Sequence, residues 1–507
     1  MKEITIDPIT RLEGHGKITI FLNDDGNVEN AYLQIPELRG FERFCEGRRA
    51  EDLPIITTRI CGVCPVAHHM AGAKAVDAAF NVEPTETAKK LRELEYCGYF
   101  IYDHILHFYF LGGPDFVVGP DAPAAKRNIL GVIEKAGLEI GKEVIKHRAY
   151  GQKITGIIGG RPTHPVSALP GGMAKALNEE ERQEIEKMLR SCHEFAKFSL
   201  KLFDDIVLKN ADYVNLITSD PYNLETYYMG MVDKNNKVNF YDGDVRVVDT
   251  RGKEFVKFGP SEYLDIIEEH VEPWTYVKMP YLKKIGWKGF VTGPETSIYR
   301  VGPLGRLNAS DGMATPVAQA EYERMYKTLG GKPVHATLAF HWARLIELMY
   351  ATERGLELIT DKEITSKDIR NKPGKPGEGV GIVEAARGTL IHHYQLDENA
   401  LAKKVNLVVA TTHNAPGICM SIKNAAKGLI KNGEVNDGLL NKVEMAFRAY
   451  DPCFACATHF AIGEMPLEVN IFDSDKQLLK TIKTVSYTHL RAHETVLDIV
   501  CRLLLEK

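Results

Sequence analysis

Four cysteines constrain this sequence more than anything else in it. Cys61 and Cys64 form one Cys-x-x-Cys step near the start, and Cys453 and Cys456 form another near the end. A histidine trails each step: His68 in Arg59-Ile60-Cys61-Gly62-Val63-Cys64-Pro65-Val66-Ala67-His68, and His459 in Asp451-Pro452-Cys453-Phe454-Ala455-Cys456-Ala457-Thr458-His459. Such spacing lets two thiolates from one turn converge on a metal, and soft sulfur selects nickel, zinc, copper or iron over magnesium. One pair is a weak signal; two pairs make a four-thiolate site plausible. Structural zinc knuckles normally lie within tens of residues of each other, whereas these pairs lie almost a chain length apart. A zinc staple gains little from such remote knuckles, while a catalytic site at the centre of a large fold can draw ligands from both ends. Spacing alone leaves both readings open: structural zinc or iron–sulfur ligation, and a catalytic metal.

Nine cysteines in 507 residues are too few for a disulfide scaffold, and an odd number without a secretory signal points to reduced thiols. Cys45, Cys97, Cys192, Cys419 and Cys501 are isolated and read as small apolar residues. The balance of 63 basic against 68 acidic residues, with no dense basic run, argues against nucleic acid or anionic lipid as a partner. The most apolar segment, YFIYDHILHFYFLGG, is interrupted by Asp103, His104 and His107, so no membrane span is expected. The opening MKEITIDPITRLEGHGK lacks the apolar core of a secretory signal, which makes the cytoplasm the expected location.

At 44% hydrophobic the chain can bury a large core. Residues 17–35 alternate apolar and polar positions around an Asn-Asp-Asp-Gly-Asn turn and read as a β-hairpin. Helical periodicity predicts helices at about 85–111, 126–157, 179–209, 315–329 and 338–359. Residues 211–300 carry short strand patterns, and 360–382 contain a Pro/Gly loop. The expected fold is α+β and predominantly α: a long-helix bundle core with an N-terminal β-hairpin and small peripheral sheets. No repeat or low-complexity run divides it, so residues 1–485 read as one domain.

The pattern Arg-x-Cys-Gly-x-Cys-x-x-x-His followed by Asp-Pro-Cys-x-x-Cys-x-x-His resembles the two signatures of the nickel–iron hydrogenase large (alpha) subunit. Five further segments agree with that family: Asp7-Pro8-Ile9-Thr10-Arg11-Leu12-Glu13-Gly14-His15, Arg39-Gly40-Phe41-Glu42, Asp103-His104-Ile105-Leu106-His107-Phe108-Tyr109, Gly302-Pro303-Leu304-Gly305-Arg306-Leu307-Asn308 and Glu384-Ala385-Ala386-Arg387-Gly388. The resemblance runs from about residue 1 to 480. It implies that Cys61 and Cys453 bind nickel terminally and that Cys64 and Cys456 bridge nickel to an iron carrying carbon monoxide and cyanide. Dihydrogen is then split heterolytically and reversibly, with Cys453 as first base and Glu13 as the carboxylate that relays the proton. Arg387 is implied over the open coordination site, with Asp103 as its orienting carboxylate. Where the family usually has proline before this arginine, the chain has Ala386, which puts the rigidity of that loop in doubt. Glu42, the carbonyl of Leu407 and His459 match the family's ligands to a magnesium ion, and His68 is read as a hydrogen-bond donor to a bridging sulfur. His392 and His393 read as structural.

After four cysteines are assigned, the other five form no cluster motif. The electrons therefore call for an iron–sulfur small subunit. The run after Cys61 is most similar to the cytoplasmic hydrogenases that do not reduce deazaflavin and associate with heterodisulfide reductase; deazaflavin- and NAD-linked variants stay open as alternatives. The resemblance also implies cleavage by a maturation endoprotease after His459. Residues 486–507 depart from the family, read as a non-native tail, and give Cys501 no role. The remaining alternatives are a structural zinc or iron–sulfur electron-transfer protein and a quinone-site subunit of a respiratory complex. The latter resembles these large subunits but lacks the metal-binding cysteines.

Overall fold

The computed structural model describes residues 2–459, together with the strands Leu467–Phe472 and Leu478–Thr484. The expected cleavage point after His459, the tail 486–507 and Cys501 reach or lie outside the described residues.

The N-terminal hairpin forms as expected from β2 (Lys17–Leu22) and β3 (Val28–Gln34), and β1 (Lys2–Ile6) adds to it in the antiparallel order β1-β2-β3. Gly26, at φ +76, closes the turn, a conformation that costs glycine nothing. The main helices of the described chain then come in the order α1 (Pro65–Ala79), α2 (Glu86–Leu106), α3 (Ile129–Ala136), α4 (Leu138–Gly159), α5 (Glu179–Phe203), α6 (Pro316–Thr328), α7 (Phe340–Ile359), α8 (Ala410–Leu429) and α9 (Asp437–Arg448). Their starts follow the chemistry of orphan amides. Thr85 accepts from Ala88 N at the head of α2, and Asn178 and Glu181 form a reciprocal capping box at the head of α5.

Four of the five predicted helices match α2, α5, α6 and α7 within a few residues, α2 and α5 each ending in a π-helical turn. The fifth, predicted as one helix over 126–157, is two. Gly137, at φ +97, breaks the axis between α3 and α4, because only glycine takes that conformation without strain.

Helix predominates, and the fold is α+β. α2 packs on α4 and α7, and α5 packs on α7 and α4, but α1 packs on a sheet. Strands β4 (Tyr227–Val232), β5 (Asp244–Val248), β6 (Glu254–Phe258) and β7 (Tyr299–Arg300) form a sheet in the order β7-β4-β5-β6. A second sheet, β8 (Glu378–Ala385), β9 (Gly388–Leu396) and β10 (Ala402–Val408), is antiparallel throughout. This sheet is not peripheral: nearly every residue of β9 is buried, and β8 and β9 form the floor beneath α1. The predicted loop 360–382 therefore ends at Glu378, where β8 begins. One apolar cluster runs from the N-terminal strands through α1, α2 and α7 to Ala457, and all four motif cysteines belong to it. Among the described residues no helix is long and apolar enough to cross a membrane.

Candidate metal centre

Cys61 follows a 3-10 turn over Thr57–Ile60 in extended backbone, and Cys64 sits at the N-cap of α1, with Pro65 in the first helical position where no amide is needed. Cys453 stands at the N-cap of a single helical turn, Phe454–Ala457, and Cys456 lies within it. Glu13 holds that turn in place: its carbonyl accepts from Phe454 N at 3.0 Å, and it bridges Cys453 in parallel register. The N-terminal segment thus pins the second cysteine motif.

The four sulfurs lie within 4.8 Å of one another and are buried. Cys61 Sγ is 3.3 Å from Cys453 Sγ, Cys64 Sγ is 3.3 Å from Cys456 Sγ, and Cys453 and Cys456 are 3.0 Å apart. These distances are well beyond the roughly 2.05 Å of a disulfide, and all four cysteines are free. Burial pushes the Cys453 and Cys456 thiols up, while the close contacts with Cys453, Cys456 and Cys64 hold Cys61 well below its ordinary value. Four thiolates in an apolar core need cations to neutralise them, and this donor set fits soft transition metals.

Three groups surround the sulfurs. Glu13 is half-buried; Cys453 Sγ donates to its Oε2 at 2.9 Å, as does Ala455 N at 3.1 Å. Burial and the Cys61 charge raise the Glu13 carboxyl against those hydrogen bonds. Arg387, in the turn between β8 and β9, makes a bidentate pair with Asp103 of α2 at 3.0 and 3.1 Å. Burial alone would lower its pKa, but Asp103 and Asp451 outweigh that and keep the guanidinium charged. His68 Nε2 lies 3.5 Å from Cys456 Sγ, and burial pushes that imidazole down to about 3.

Asp451 is a site residue that sequence reasoning missed. Its Oδ2 is 3.0 Å from Arg387 Nη2, so the guanidinium is clamped by two carboxylates, and burial pushes Asp451 up to about 7. Its position in the second cysteine motif was the available signal. Ala386 also has a use: its N–H donates to Tyr99 Oη at 3.0 Å, a contact that proline would lack, so a hydrogen bond holds the loop instead of a ring.

Glu42, Leu407 and His459 converge behind the sulfurs. His459 Nε2 is 2.6 Å from the Leu407 carbonyl and 3.8 Å from Glu42 Oε1, which accepts from Leu407 N at 2.7 Å. The remaining described cysteines, Cys45, Cys97, Cys192 and Cys419, are buried singly. His393 lies away from the sulfurs, between Tyr263 and Glu378.

A buried four-sulfur cluster built from both ends of one chain, with a carboxylate at one sulfur and a clamped guanidinium nearby, defines a thiolate metalloenzyme. The model of the nickel-dependent hydrogenase family matches residues 39–129 and 143–459, and a HoxL-like model matches residues 3–38. The chain is 51% identical over 485 residues to an iron-sulfur subunit of the F420-non-reducing hydrogenase of Archaeoglobus profundus, covering 95% of this chain and 100% of that one. It is 37% identical over 494 residues to the beta subunit of the NAD-reducing hydrogenase HoxS of Cupriavidus necator, covering 94% and 99%. A crystal structure of an NAD+-reducing nickel–iron hydrogenase in the H2-reduced state superposes with a TM-score of 0.86 at 36% identity, covering 90% of this chain and 100% of that one. The chain belongs to the nickel-dependent hydrogenase family as a large subunit, and it is an oxidoreductase acting on dihydrogen.

Proposed function

We propose that Cys61 and Cys453 are the terminal nickel ligands, and that Cys64 and Cys456 bridge nickel to an iron whose other ligands are carbon monoxide and cyanide. What carries the reading is the pairing of sulfurs across the two motifs, together with Glu13 placed on Cys453 alone. When bound, the nickel–iron centre supplies the site at which dihydrogen is split heterolytically. The chain's own task is then to remove the proton and hold charge. Cys453 Sγ is the first base, and Glu13 Oε2, 2.9 Å away, takes the proton on; a carboxyl raised by burial suits that relay. Arg387, aimed by Asp103 and Asp451, presents a fixed positive charge beside the sulfurs. Glu42, Leu407 and His459 offer carboxylate, carbonyl and imidazole to a magnesium or similar cation.

The four other described cysteines are scattered, which supports the need for an iron–sulfur small subunit to carry electrons away one at a time. Beyond it, relatives named as F420-non-reducing hydrogenases, at higher identity than the NAD-reducing one, support an acceptor other than deazaflavin or NAD; a cytoplasmic complex of the heterodisulfide-reductase type is the reading that goes with the run after Cys61. Residues 1–485 serve as one domain built on its long helices, and a maturation endoprotease cuts after His459. Structural zinc is the weaker reading, since a zinc staple needs neither Glu13 nor the Arg387 clamp.

Cys456→Ser is expected to abolish hydrogen-dependent dye reduction and to remove the infrared bands of metal-bound carbon monoxide and cyanide. Retained activity would refute the bridging role, and a loaded wild type without those bands would refute the iron ligands.

A further inference from the structure

His392 reads as structural in the sequence, yet its ring stands in a hydrogen-bonded file that ends on a motif sulfur. Cys456 Sγ lies 3.5 Å from His68 Nε2; His68 Nδ1 lies 3.2 Å from His392 Nε2; and His392 Nδ1 lies 2.6 Å from Tyr394 Oη. All three side chains are fully buried. The file exists because alternation along β9 puts residues 392 and 394 on one face, towards α1. Three glycines let α1 approach that face. A Cβ on Gly379 or Gly381 would fall 2.2 Å from the backbone oxygens of Ala75 and Ala71, and one on Gly72 would fall 3.2 Å from Tyr394 Oη.

Proton counting gives the file a direction. A neutral imidazole has one donor and one acceptor nitrogen, and a metal-bound thiolate only accepts. With Cys456 as such a thiolate, which rests on the ligand assignment above, His68 donates from Nε2 and accepts at Nδ1. His392 then donates from Nε2 and accepts at Nδ1, and Tyr394 donates from its hydroxyl. Among the described residues no carboxylate joins the file. We infer that His392 and Tyr394 are positioning residues that fix the tautomer of His68, so that its Nε2–H always points at the Cys456 sulfur. The donated hydrogen bond draws electron density from that sulfur and makes it a weaker donor to its metals.

The test is made on the assembled, metal-loaded complex. Tyr394→Phe removes the terminal donor while preserving ring and packing. It is expected to keep its nickel, to lower the midpoint potential of the nickel paramagnetic signal, and to move the iron-bound carbon monoxide band to lower wavenumber. Hydrogen oxidation is expected to fall about tenfold, the size usual for a lost partner of a ligand. His392→Leu is expected to shift both readouts further the same way. His392→Gln, which keeps an amide donor for His68 Nδ1, is expected to lie closer to wild type. Potential and band at wild-type values in both Tyr394→Phe and His392→Leu, with full nickel, would reduce the file to packing. A wild type without a carbon monoxide band counts against the iron-ligand assignment instead, and the potential then decides the file by itself.

Discussion

Glu13 and Glu95 are both carboxyls raised by burial, and they differ in what stands beside them. Glu13 Oε2 has the Cys453 sulfur at 2.9 Å, so its proton has somewhere to come from. Glu13→Gln is expected to lower hydrogen oxidation by about 100-fold or more with nickel content unchanged; near wild-type turnover would take Glu13 out of the proton path. Glu95, on α2, is fully buried, and neither carboxyl oxygen finds a hydrogen-bond partner among the described residues. Burial pushes it up to about 8 against the pull of Arg92. The folded chain therefore holds a proton that the unfolded chain has released between about pH 4.5 and 8, and this group makes stability fall as pH rises across that window. Glu95→Gln is expected to unfold at a higher temperature than wild type, by a margin that widens from pH 5 to pH 8; a margin constant with pH would mean that Glu95 is ionised in the fold. At this scale the sequence was legible wherever chemistry needs a short motif, as at the cysteines, Glu13 and Arg387. Asp451 and the His392–Tyr394 pair were not, because their meaning depends on which side chains packing brings to them.

Helix α1 carries Cys64 at its N-cap and lies on β8 and β9 at a distance that only glycine permits. A methyl at Gly381 would meet the backbone of α1 at 2.2 Å, and backbone cannot yield as a flexible side chain can. Gly381→Ala is expected to destabilise the chain by about 1–3 kcal/mol and to lower nickel occupancy, because α1 must lift and take Cys64 with it. Thermal unfolding and metal content at wild-type values would show that the contact has slack. The same contact explains why α1 escaped the helical-period reading. Its sequence, PVAHHMAGAKAVDAA, is buried almost all round, so no polar face marks the period. Helix α8 was hidden by Pro416 inside it and by a similar all-round burial, whereas α9 has a clear amphipathic period that a motif-led reading passes over. The break at Gly137 was invisible for another reason: the apolar period continues across it, and only a positive φ reveals the kink.

Across the described residues, the fold brings the N-terminal segment and the two cysteine motifs to one buried point. Glu13 hydrogen-bonds the Cys453 turn through its backbone and its side chain, the Cys61 motif packs beside it, and the sulfurs join the main apolar cluster. The remote spacing of the cysteine pairs signalled that closure, but not the buried sheet β8–β10, whose hairpin carries Arg387 to the site and whose central strand carries His392. If this closure builds a nickel-containing centre, the metal must depend on sulfurs from both ends of the chain. Elemental analysis of the purified complex, with the Cys456→Ser form beside it, reads that dependence. About one nickel per chain is expected in the wild type, with negligible zinc, and the nickel is expected to be lost in the variant. Zinc in place of nickel in an active-loaded wild type, or nickel retained in full after Cys456→Ser, would contradict it.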